Sequence, residues 1–397
     1  MKPLQGFRIL DFTQFMSGPM CTLLLSDFGA EVIKIENPPL GDATRQGKIL
    51  EEGVSSHYAT RNRGKKSIVL NMKNEEHKAL FLELAKTADA VVENFKPGTM
   101  EKFGITYELL KEINPRIVFT SISGFGQSGP AASIPAFDAT VQAESGLMSI
   151  SGEENGRPQK CGAAIADYCG GLVGCIGTLM GIISAQKTGI GRRVDVAMMD
   201  SLVFLLENQF SVYLKTGAIP ARSGNRYPGS SPIGDFMCKD GVPLMLNIST
   251  DRQWKIFAEA LQQPQWLTDP DFADMNLRGE NYQKVEAEVS RVFAEWNSEE
   301  LFALLREHNC VCGRINDFEA LKNHPQIEAR KMIVSAEYDN GVRFSVPGNP
   351  IQMSGMEREN VYTAARLGQD TFSVLREVAD DEKLHRLFDG MIPSADD

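Results

Sequence analysis

Short apolar runs alternate with helical patterns along the first third of the chain. The apolar runs predict strands at 7–12, 30–36, 67–72, 89–95 and 116–126. The apolar spacing between them predicts helices at 19–29, where Pro19 is well placed to open the helix, 74–88 and 107–115. Apolar strands that alternate with helices are typical of a parallel sheet covered on both faces. We therefore predict an α/β fold with a Rossmann-like large domain.

The second half of the chain predicts a boundary and a smaller domain. The segment 192–214 indicates a strand followed by a long helix, and residues 217–235 are rich in Gly, Pro and Ser. An Asp240-Gly241 turn predicts a hairpin, with helices after it. The predicted domains are the N-terminal part of the large domain (1–216), a linker (217–235), a small α+β domain (236–325) and a return segment that completes the large domain (326–397).

Charge and composition narrow the class of protein. The chain has 397 residues, 42% of them apolar, and a formal net charge of −11, which disfavours nucleic acid and anionic membranes as partners. Seven scattered cysteines without CxxC and five histidines without zinc spacing predict no metal site and free thiols in a reducing cytoplasm. The N-terminal stretch does not read as a signal peptide, so we expect a cytoplasmic protein.

One motif imitates a dinucleotide site. "GFGQSG" (124–129) matches GxGxxG and follows a predicted strand, but Pro130 and Pro135 prevent the helix that would face a pyrophosphate. The chain also lacks GxxxxGK[ST] and GxSxG. We therefore expect neither nicotinamide nor flavin as a cofactor, and no P-loop or hydrolase elbow.

A single acid stands in the apolar stretch 161–186. This residue, Asp167, is followed by Gly170, Gly174, Gly177 and Gly181, whose spacing gives one bare helix face for close packing. Two structural explanations for the acid are a helix N-cap and a membrane span. We reject the span because the stretch is rich in Gly and Ala and carries an acid. A third explanation, which stays open beside the N-cap, is chemical: Asp167 is a reactive carboxylate.

Basic residues cluster where predicted strands begin and end. "RNRGKKS" (61–67) precedes the third strand, Lys73 follows it, and Lys96 and Lys102 follow the fourth. The ends of adjacent parallel strands meet at one sheet edge, where open α/β folds bind ligands. The cluster therefore suggests a phosphate or nucleotide-tail site, with a solvated charged surface as the alternative.

Longer motifs carry a family resemblance over essentially the whole chain. They are "LDFTQFMSGPMCTLLLSDFGAEVIKIE" (10–36), "GDATR" (41–45), "NRGKKSIVLNMK" (62–73), "VVENFKPGTMEKFGI" (91–105), "SISGFGQSGP" (121–130), "PAFDATVQAESG" (135–146), "ADYCGG" (166–171) and "GRRVDVAMMDS" (191–201). The sequence resembles the class III CoA-transferases, the CaiB/BaiF family of formyl-CoA and carnitine CoA-transferases.

The resemblance implies that Asp167 is a nucleophile toward an acyl-CoA donor. In the family, this carboxylate forms an acyl–aspartyl anhydride and releases CoA thiolate. The thiolate returns to give an aspartyl–CoA thioester, and a carboxylic acid acceptor then takes the CoA. The resemblance also implies ring-like subunits in an interlocked homodimer, and acyl-CoA as a substrate without metal, nicotinamide or flavin.

Motif positions imply the residues that bind the substrates. Those near CoA are Met16, Ser17, Asn37, Leu70, Asn71, Met72, Lys73, Asn94, Phe95, Lys96, Lys102, Phe137 and Asp138. We expect lysines to meet phosphates and apolar side chains to hold adenine or the pantetheine arm. The acid pocket is predicted to contain Gln14, Arg45, His57, Tyr58, Gly170 and Gly171. Backbone N–H groups near the two glycines could stabilise an oxyanion.

Departures from the family pattern bear on specificity and on rival reactions. The formyl-CoA enzymes have Gln-Ala where this chain has Met16-Ser17, and an arginine in place of Asn37; their small-domain glycine loop has no counterpart here. These differences argue against oxalate or formyl specificity. The 2-methylacyl-CoA racemases resemble the chain too, but their proton-transferring histidine aligns with Phe137, which cannot accept a proton. An acyl-CoA hydrolase using Asp167 and a non-catalytic CoA-binding protein are further alternatives.

Overall fold

The computed structural model describes residues 2–47 and 50–388. Its strands are β1 (Arg8–Asp11), β2 (Glu31–Glu36), β3 (Leu50–Glu51), β4 (Val54–Ser55), β5 (Lys66–Val69), β6 (Ala90–Glu93), β7 (Val118–Ser123), β8 (Arg193–Ala197), β9 (Ile233–Met237), β10 (Pro243–Asn247), β11 (Cys312–Arg314), β12 (Ile333–Glu337), β13 (Arg343–Pro347) and β14 (Val361–Thr363).

Helices make up much of the remaining described chain. They are α1 (Ser17–Asp27), α2 (Ser56–Asn62), α3 (Glu75–Ala85), α4 (Thr99–Lys102), α5 (Tyr107–Ile113), α6 (Asp138–Glu144), α7 (Leu147–Ile150), α8 (Ile165–Thr188), α9 (Met198–Leu205), α10 (Glu207–Thr216), α11 (Asp251–Ala260), α12 (Met275–Glu280), α13 (Tyr282–Phe293), α14 (Ser298–Glu307), α15 (Phe318–Lys322), α16 (Pro325–Ala329), α17 (Thr371–Leu375) and α18 (Asp381–Phe388). Short 3₁₀ turns lie at Ala43–Gln46, Pro264–Leu267 and Pro270–Phe272.

A six-stranded parallel sheet forms the centre of the first unit, in the order β5-β2-β1-β6-β7-β8. All five strands predicted for the first third are present, and the predicted mixed α/β class is confirmed. Helix α1 begins at Ser17, two residues before Pro19, and Leu206 interrupts the predicted long helix between α9 and α10. Residues 124–137 contain no helix, as the two prolines predict, so no helix N-terminus follows "GFGQSG".

Close packing divides the chain into two compact units. Within the described residues, the first unit holds those up to Leu147, then Cys161–Gly217, and those from Pro325 to 388. The second holds Met148–Lys160 and Ala218–His324. Compactness alone does not test independent domains, so the domain boundaries above stay a prediction. Part of the predicted return segment, 389–397, lies outside the described residues.

The second unit contains the antiparallel sheet β11-β10-β9. Its hairpin turns at Asp240-Gly241 as predicted, and the φ of +77° at Gly241 explains why glycine occupies that position. The carboxylate of Asp240 also accepts hydrogen bonds from the backbone and hydroxyl of Ser298 at the start of α14. Stacked aromatic rings, including Trp254 and Trp266, fill the core behind the hairpin.

Helix α8 lies against the sheet through its glycines. A Cβ on Gly170 would lie 2.8 Å from Met198 Cγ, and one on Gly174 would lie 2.5 Å from Ile122 Cδ1. A Cβ on Gly177 or Gly181 would likewise lie 2.7 Å from a valine side chain of β8 or β7. The predicted close-packing face of the helix is therefore confirmed. Among the described residues, α8 alone is long and apolar enough to cross a membrane by length and composition. Its glycine face packs on β7 and β8, as in the core helix of a globular unit.

Replacing Gly171 by alanine is expected to destabilise the first unit by about 1–3 kcal/mol. A Cβ at this position would lie 2.5 Å from the backbone oxygen of Ser17, which cannot move without shifting α1. Gly162→Ala is the matched control because its Cβ would meet no atom within 4 Å. Urea unfolding followed by circular dichroism should show a lower midpoint for Gly171→Ala alone. Equal midpoints for the two variants would contradict the packing explanation.

Candidate active site

Asp167 lies in the first turn of α8, where another helix supplies the cap. Helix α8 begins at Ile165, and Asp138 of α6 accepts hydrogen bonds through Oδ1 from the N–H of Ala166 (2.8 Å) and, more weakly, of Asp167 (3.4 Å). The N-cap explanation for Asp167 is therefore wrong, because the helix starts two residues before it. Its own carboxylate accepts no hydrogen bond from residues 2–47 and 50–388.

The cap is itself anchored by a glutamine. Gln142 is buried on α6 and donates through Nε2 to Asp138 Oδ2 (2.7 Å). Its Oε1 accepts the N–H of Cys161 (2.8 Å), in the segment that leads into α8. These bonds fix the start of α8 on α6. The carboxylate of Asp167 is thereby held in one place without being used for the fold.

The surroundings of Asp167 make it a weaker acid than an exposed aspartate. Burial, followed by repulsion from the Asp138 carboxylate, raises the pKa of Asp167 to about 6, while the positive charge of Arg61 acts in the opposite direction. The carboxylate is therefore mostly ionised at pH 7. A partly desolvated, ionised carboxylate free of hydrogen bonds from the described chain is chemically suited to nucleophilic attack.

The turn after β1 lies against this part of α8. Asn94, at the end of β6, accepts the N–H of Gln14 (2.8 Å) and donates to Gln14 O (2.8 Å) and Ser17 Oγ (3.1 Å). Ser17 O in turn faces Gly171. The structure therefore brings together three predicted site residues next to the helix of Asp167: Gln14 and Ser17, which follow β1, and Asn94, which follows β6. Met16 lies between Gln14 and Ser17 in the chain.

Most of the "RNRGKKS" cluster has a structural role, which corrects the phosphate-site hypothesis for these residues. Lys65 is buried, and its Nζ binds Asp11 Oδ2 (3.0 Å) together with three other oxygens. Arg63 is buried against Asp27 (2.9 Å), and Lys66 pairs with a glutamate on β2. A buried charge must be paired, so Lys65 and Arg63 are already committed, whereas the Lys66 pair is partly exposed.

Two residues predicted for the acid pocket are also part of a buried network. Arg45 binds both carboxylate oxygens of Glu36 (2.6 and 2.7 Å) and stacks over the Tyr58 ring at 3.5 Å. The Tyr58 hydroxyl donates to the same glutamate (3.2 Å), and this tyrosine is buried. Glu36 occupies polar groups of both Arg45 and Tyr58, and contact between these residues and an acid stays a prediction. His57 is exposed on α2.

The residues predicted near CoA follow the C-terminal edge of the sheet. Asn37 follows β2, Asn71 and Lys73 follow β5, and Phe95 and Lys96 follow β6. Lys73, Lys96 and Lys102 are exposed and form no ion pair with the described residues, so these cations remain available to phosphates. The side chains of Leu70 and Met72 are buried in the core, and contact of these two residues with adenine or pantetheine stays a prediction.

Gly170 and Gly171 do not provide free backbone donors. Both lie inside α8, where their N–H groups point to carbonyls one turn earlier, and both are buried. The helix therefore uses the N–H groups of these two glycines, and an oxyanion role for other backbone N–H groups near them stays a prediction. The two glycines serve the close approach of α8 to Met198 and Ser17. Direct contact between these glycines and an acid stays a prediction.

Sequence reasoning missed the individual role of Arg61. It was grouped with its basic neighbours, yet it lies in α2, and its charge is the one that lowers the pKa of Asp167. Its Nη1 donates to His57 O (3.0 Å), and its buried Nε has no partner. No pattern around Arg61 signals this role, because Asp167 lies on a helix far away in the sequence. Among the described residues, no group of three or more His, Cys, Asp or Glu could hold a metal ion.

The fold and site together define an α/β protein with a partly buried carboxylate, Asp167, beside the C-terminal edge of a parallel sheet. CoA-transferase family III matches residues 4–371. An acetyl-CoA:oxalate CoA-transferase of Acetobacter aceti is 35% identical, covering 89% of this chain and 90% of its own length. A succinate–glutarate CoA-transferase of Agrobacterium fabrum is 34% identical, covering 95% and 96%.

A solved structure agrees with these relatives. The crystal structure of a CaiB/BaiF family protein from Brucella suis superposes with a TM-score of 0.83 at 32% identity, covering 95% of this chain and all of that one. The chain belongs to CoA-transferase family III. It is a CoA-transferase, and the acyl-CoA substrate expected from the sequence follows from that membership.

Proposed function

We propose that the protein moves CoA from an acyl-CoA donor to a carboxylic acid through covalent intermediates on Asp167. The observation that carries this proposal is the Asp167 carboxylate itself. It is partly buried, ionised at neutral pH and without a hydrogen bond from the described chain, while its helix is capped by Asp138. A structural acid would be expected to have partners.

The steps follow from carboxylate chemistry. Asp167 attacks the thioester carbon, the C–S bond breaks, and an acyl–aspartyl anhydride and CoA thiolate result. The thiolate attacks the aspartyl carbonyl, which releases the donor acid and leaves an aspartyl–CoA thioester. The acceptor carboxylate attacks this thioester to give a second anhydride and CoA thiolate. The thiolate then attacks the acceptor's carbonyl carbon, which forms the new acyl-CoA and frees Asp167.

The charges near the site support these steps. Exposed Lys73, Lys96 and Lys102 at the sheet edge suit the phosphates of CoA. Arg61 supplies a positive charge near Asp167, which favours an incoming acid anion. Phe137 occupies the position where the racemases carry a proton-transferring histidine, and this supports transfer over racemisation.

The rate of transfer is expected to fall below about pH 6. Attack requires the ionised form of Asp167, whose pKa is raised to about 6, so protonation removes the nucleophile as the pH falls through that value. An exposed aspartate would keep full activity to near pH 4. The measurement is kcat/KM for the donor between pH 4.5 and 8. A rate that stays constant down to pH 4.5 would contradict the assigned environment.

A two-way panel tests the proposed reaction. Several acyl-CoA donors are mixed with several carboxylic acids, and the new acyl-CoA is measured by mass spectrometry. We expect acyl-CoA to form only with an acid present, and the total thioester to be conserved. Loss of total thioester would indicate a hydrolase, and exchange of the α-proton without transfer would indicate a racemase.

The proposed assembly is an interlocked homodimer of ring-like subunits. Large apolar side chains of the first unit are exposed on α8, α9 and α10, including Met180 (66%), Phe204 (80%) and Leu214 (68%). Soluble single chains rarely expose so many large apolar groups on neighbouring elements. A second copy of the chain would cover them. Light scattering should give twice the mass of one chain, and a single-chain mass would contradict the dimer.

The cysteines support a cytoplasmic location. All seven are free thiols, and several, such as Cys21 and Cys175, are buried apart from any disulfide. Burial raises the pKa of Cys175 to about 11, so this thiol is unreactive at neutral pH. Such thiols are typical of proteins in reducing compartments.

A further inference from the structure

Phe15 adopts a backbone conformation that phenylalanine rarely takes. Its φ is +63°, in the left-handed region that favours glycine. The neighbouring Gln14 is held by Asn94 on both its N–H and its carbonyl, and the N–H of Phe15 points to Asp42 Oδ1 (3.4 Å). The turn therefore enforces this strain, which is a feature of functional sites more often than of ordinary turns.

The strained turn leaves the aromatic side chain of Phe15 partly exposed to solvent. The Phe15 side chain is 46% exposed, and its ring lies edge-on to that of Phe137, with centroids 6.1 Å apart and planes at 88°. Phe137 is 68% exposed. The two rings come from different parts of the chain, so together they form a small apolar wall that the fold itself does not cover.

This wall lies beside the nucleophile. Phe137 directly precedes Asp138, whose carboxylate accepts the N–H groups of Ala166 and Asp167. The turn that carries Phe15 continues into Ser17, whose carbonyl faces Gly171 on the next turn of α8. Both rings are thus attached to segments that touch the first two turns of the Asp167 helix.

We propose that Phe15 and Phe137 form the subsite for the hydrocarbon part of the acid, and that they select acids with an alkyl chain or aromatic ring over small, fully polar acids. This inference rests on the proposed function. The two side chains offer no hydrogen-bond donor and no charge, so they gain binding energy only by covering apolar surface. The acid's carboxylate would stay toward Asp167 and the charge of Arg61.

The pantetheine arm of CoA and a partner subunit are the competing occupants of the wall. We favour the acid because the wall adjoins the residue to which its acyl group becomes attached. The three occupants also predict different results for the same variants. If the acid covers the wall, loss of the rings would weaken the use of apolar acids. If the pantetheine arm covers it, the binding of CoA and of every CoA thioester would weaken. If a partner subunit covers it, assembly would be lost.

The experiment compares hexanoate with propionate as acceptors, using the donor that the wild-type chain uses fastest. The two acids carry the same charge and differ by three methylenes, each worth roughly a factor of four in binding when buried. We expect wild-type kcat/KM to favour hexanoate, and Phe15→Ala and Phe137→Ala each to reduce that preference about tenfold, since each ring covers part of the chain. Phe15→Leu should retain most of it.

Controls separate the possible failures. Phe318→Ala removes an even more exposed ring in the second unit and should leave the preference unchanged. The dissociation constant of free CoA, which carries no acyl group, and the mass in solution should stay at wild-type values in Phe15→Ala and Phe137→Ala. The inference is overturned if the wild type prefers propionate, if both acids lose activity equally, if free CoA binds more weakly, or if assembly is lost. Absence of transfer to any acid by the wild type would instead refute the proposed function.

Discussion

Asp167→Asn is expected to abolish CoA transfer while leaving the fold and CoA binding intact. An amide has the same shape but cannot form the anhydride, so kcat should fall by about 10⁴-fold or more. Since the Asp167 side chain accepts no hydrogen bond from the described chain, its replacement breaks no contact of the fold. The measurements are kcat for transfer and the dissociation constant of CoA by calorimetry.

The stability of this variant gives an independent check. The folded-state pKa of Asp167, about 6, lies above its ordinary value, so the fold favours the protonated form. Between these values the folded protein binds more protons, and ionisation at higher pH therefore reduces stability. At pH 7.5 Asp167→Asn should be at least as stable as the wild type. Glu144→Gln, an exposed carboxylate change on α6, is the control and should alter neither activity nor stability. Residual transfer above one hundredth of the wild-type rate would contradict the nucleophile role.

Lys65→Met is expected to lower the free energy of unfolding of the first unit by about 3–5 kcal/mol. The Lys65 ammonium is buried with four oxygens, those of Asp11, Pro19, Thr22 and Asn62, at 2.7–3.1 Å. Burial lowers its pKa to about 8, so the side chain is still charged at pH 7. Methionine fills the space but leaves these oxygens without their donor, and a buried unpaired carboxylate is strongly unfavourable.

The adjacent lysine provides a matched control. Lys66 pairs with Glu31 at the surface, where water screens the charges, so Lys66→Met should change the same free energy by less than about 1 kcal/mol. Urea unfolding at pH 7, followed by far-ultraviolet circular dichroism, gives the free energy of unfolding of the two variants. Equal destabilisation would show that the buried network contributes no more than a surface pair.

The α/β class and the positions of the strands could be predicted because buried parallel strands require continuous apolar runs. The glycine face of α8 was likewise visible, since its spacing follows the helical repeat. Asp167 stood out as the single acid in that stretch, and the family resemblance then gave it a role. In these cases the signal is local in sequence.

Features that depend on distant residues could not be predicted. Lys65 and Arg61 look alike in "RNRGKKS", yet one is buried under Asp11 and the other faces the charge of Asp167. Only the packing of α1 on the six-stranded sheet and of α2 on α1 and β13 distinguishes them. The cap of α8 comes from Asp138 on another helix, and the left-handed conformation of Phe15 depends on its neighbours. No pattern within a short window contains this information.

Trapping of the covalent intermediate tests the central claim most directly. The protein is incubated with an acyl-CoA donor, treated with hydroxylamine and digested, and the modified peptide is identified by mass spectrometry. The account predicts a hydroxamate on Asp167, formed only when acyl-CoA is present and missing from Asp167→Asn. Modification of a different carboxylate such as Asp138, or continued transfer with no modified residue, would contradict it.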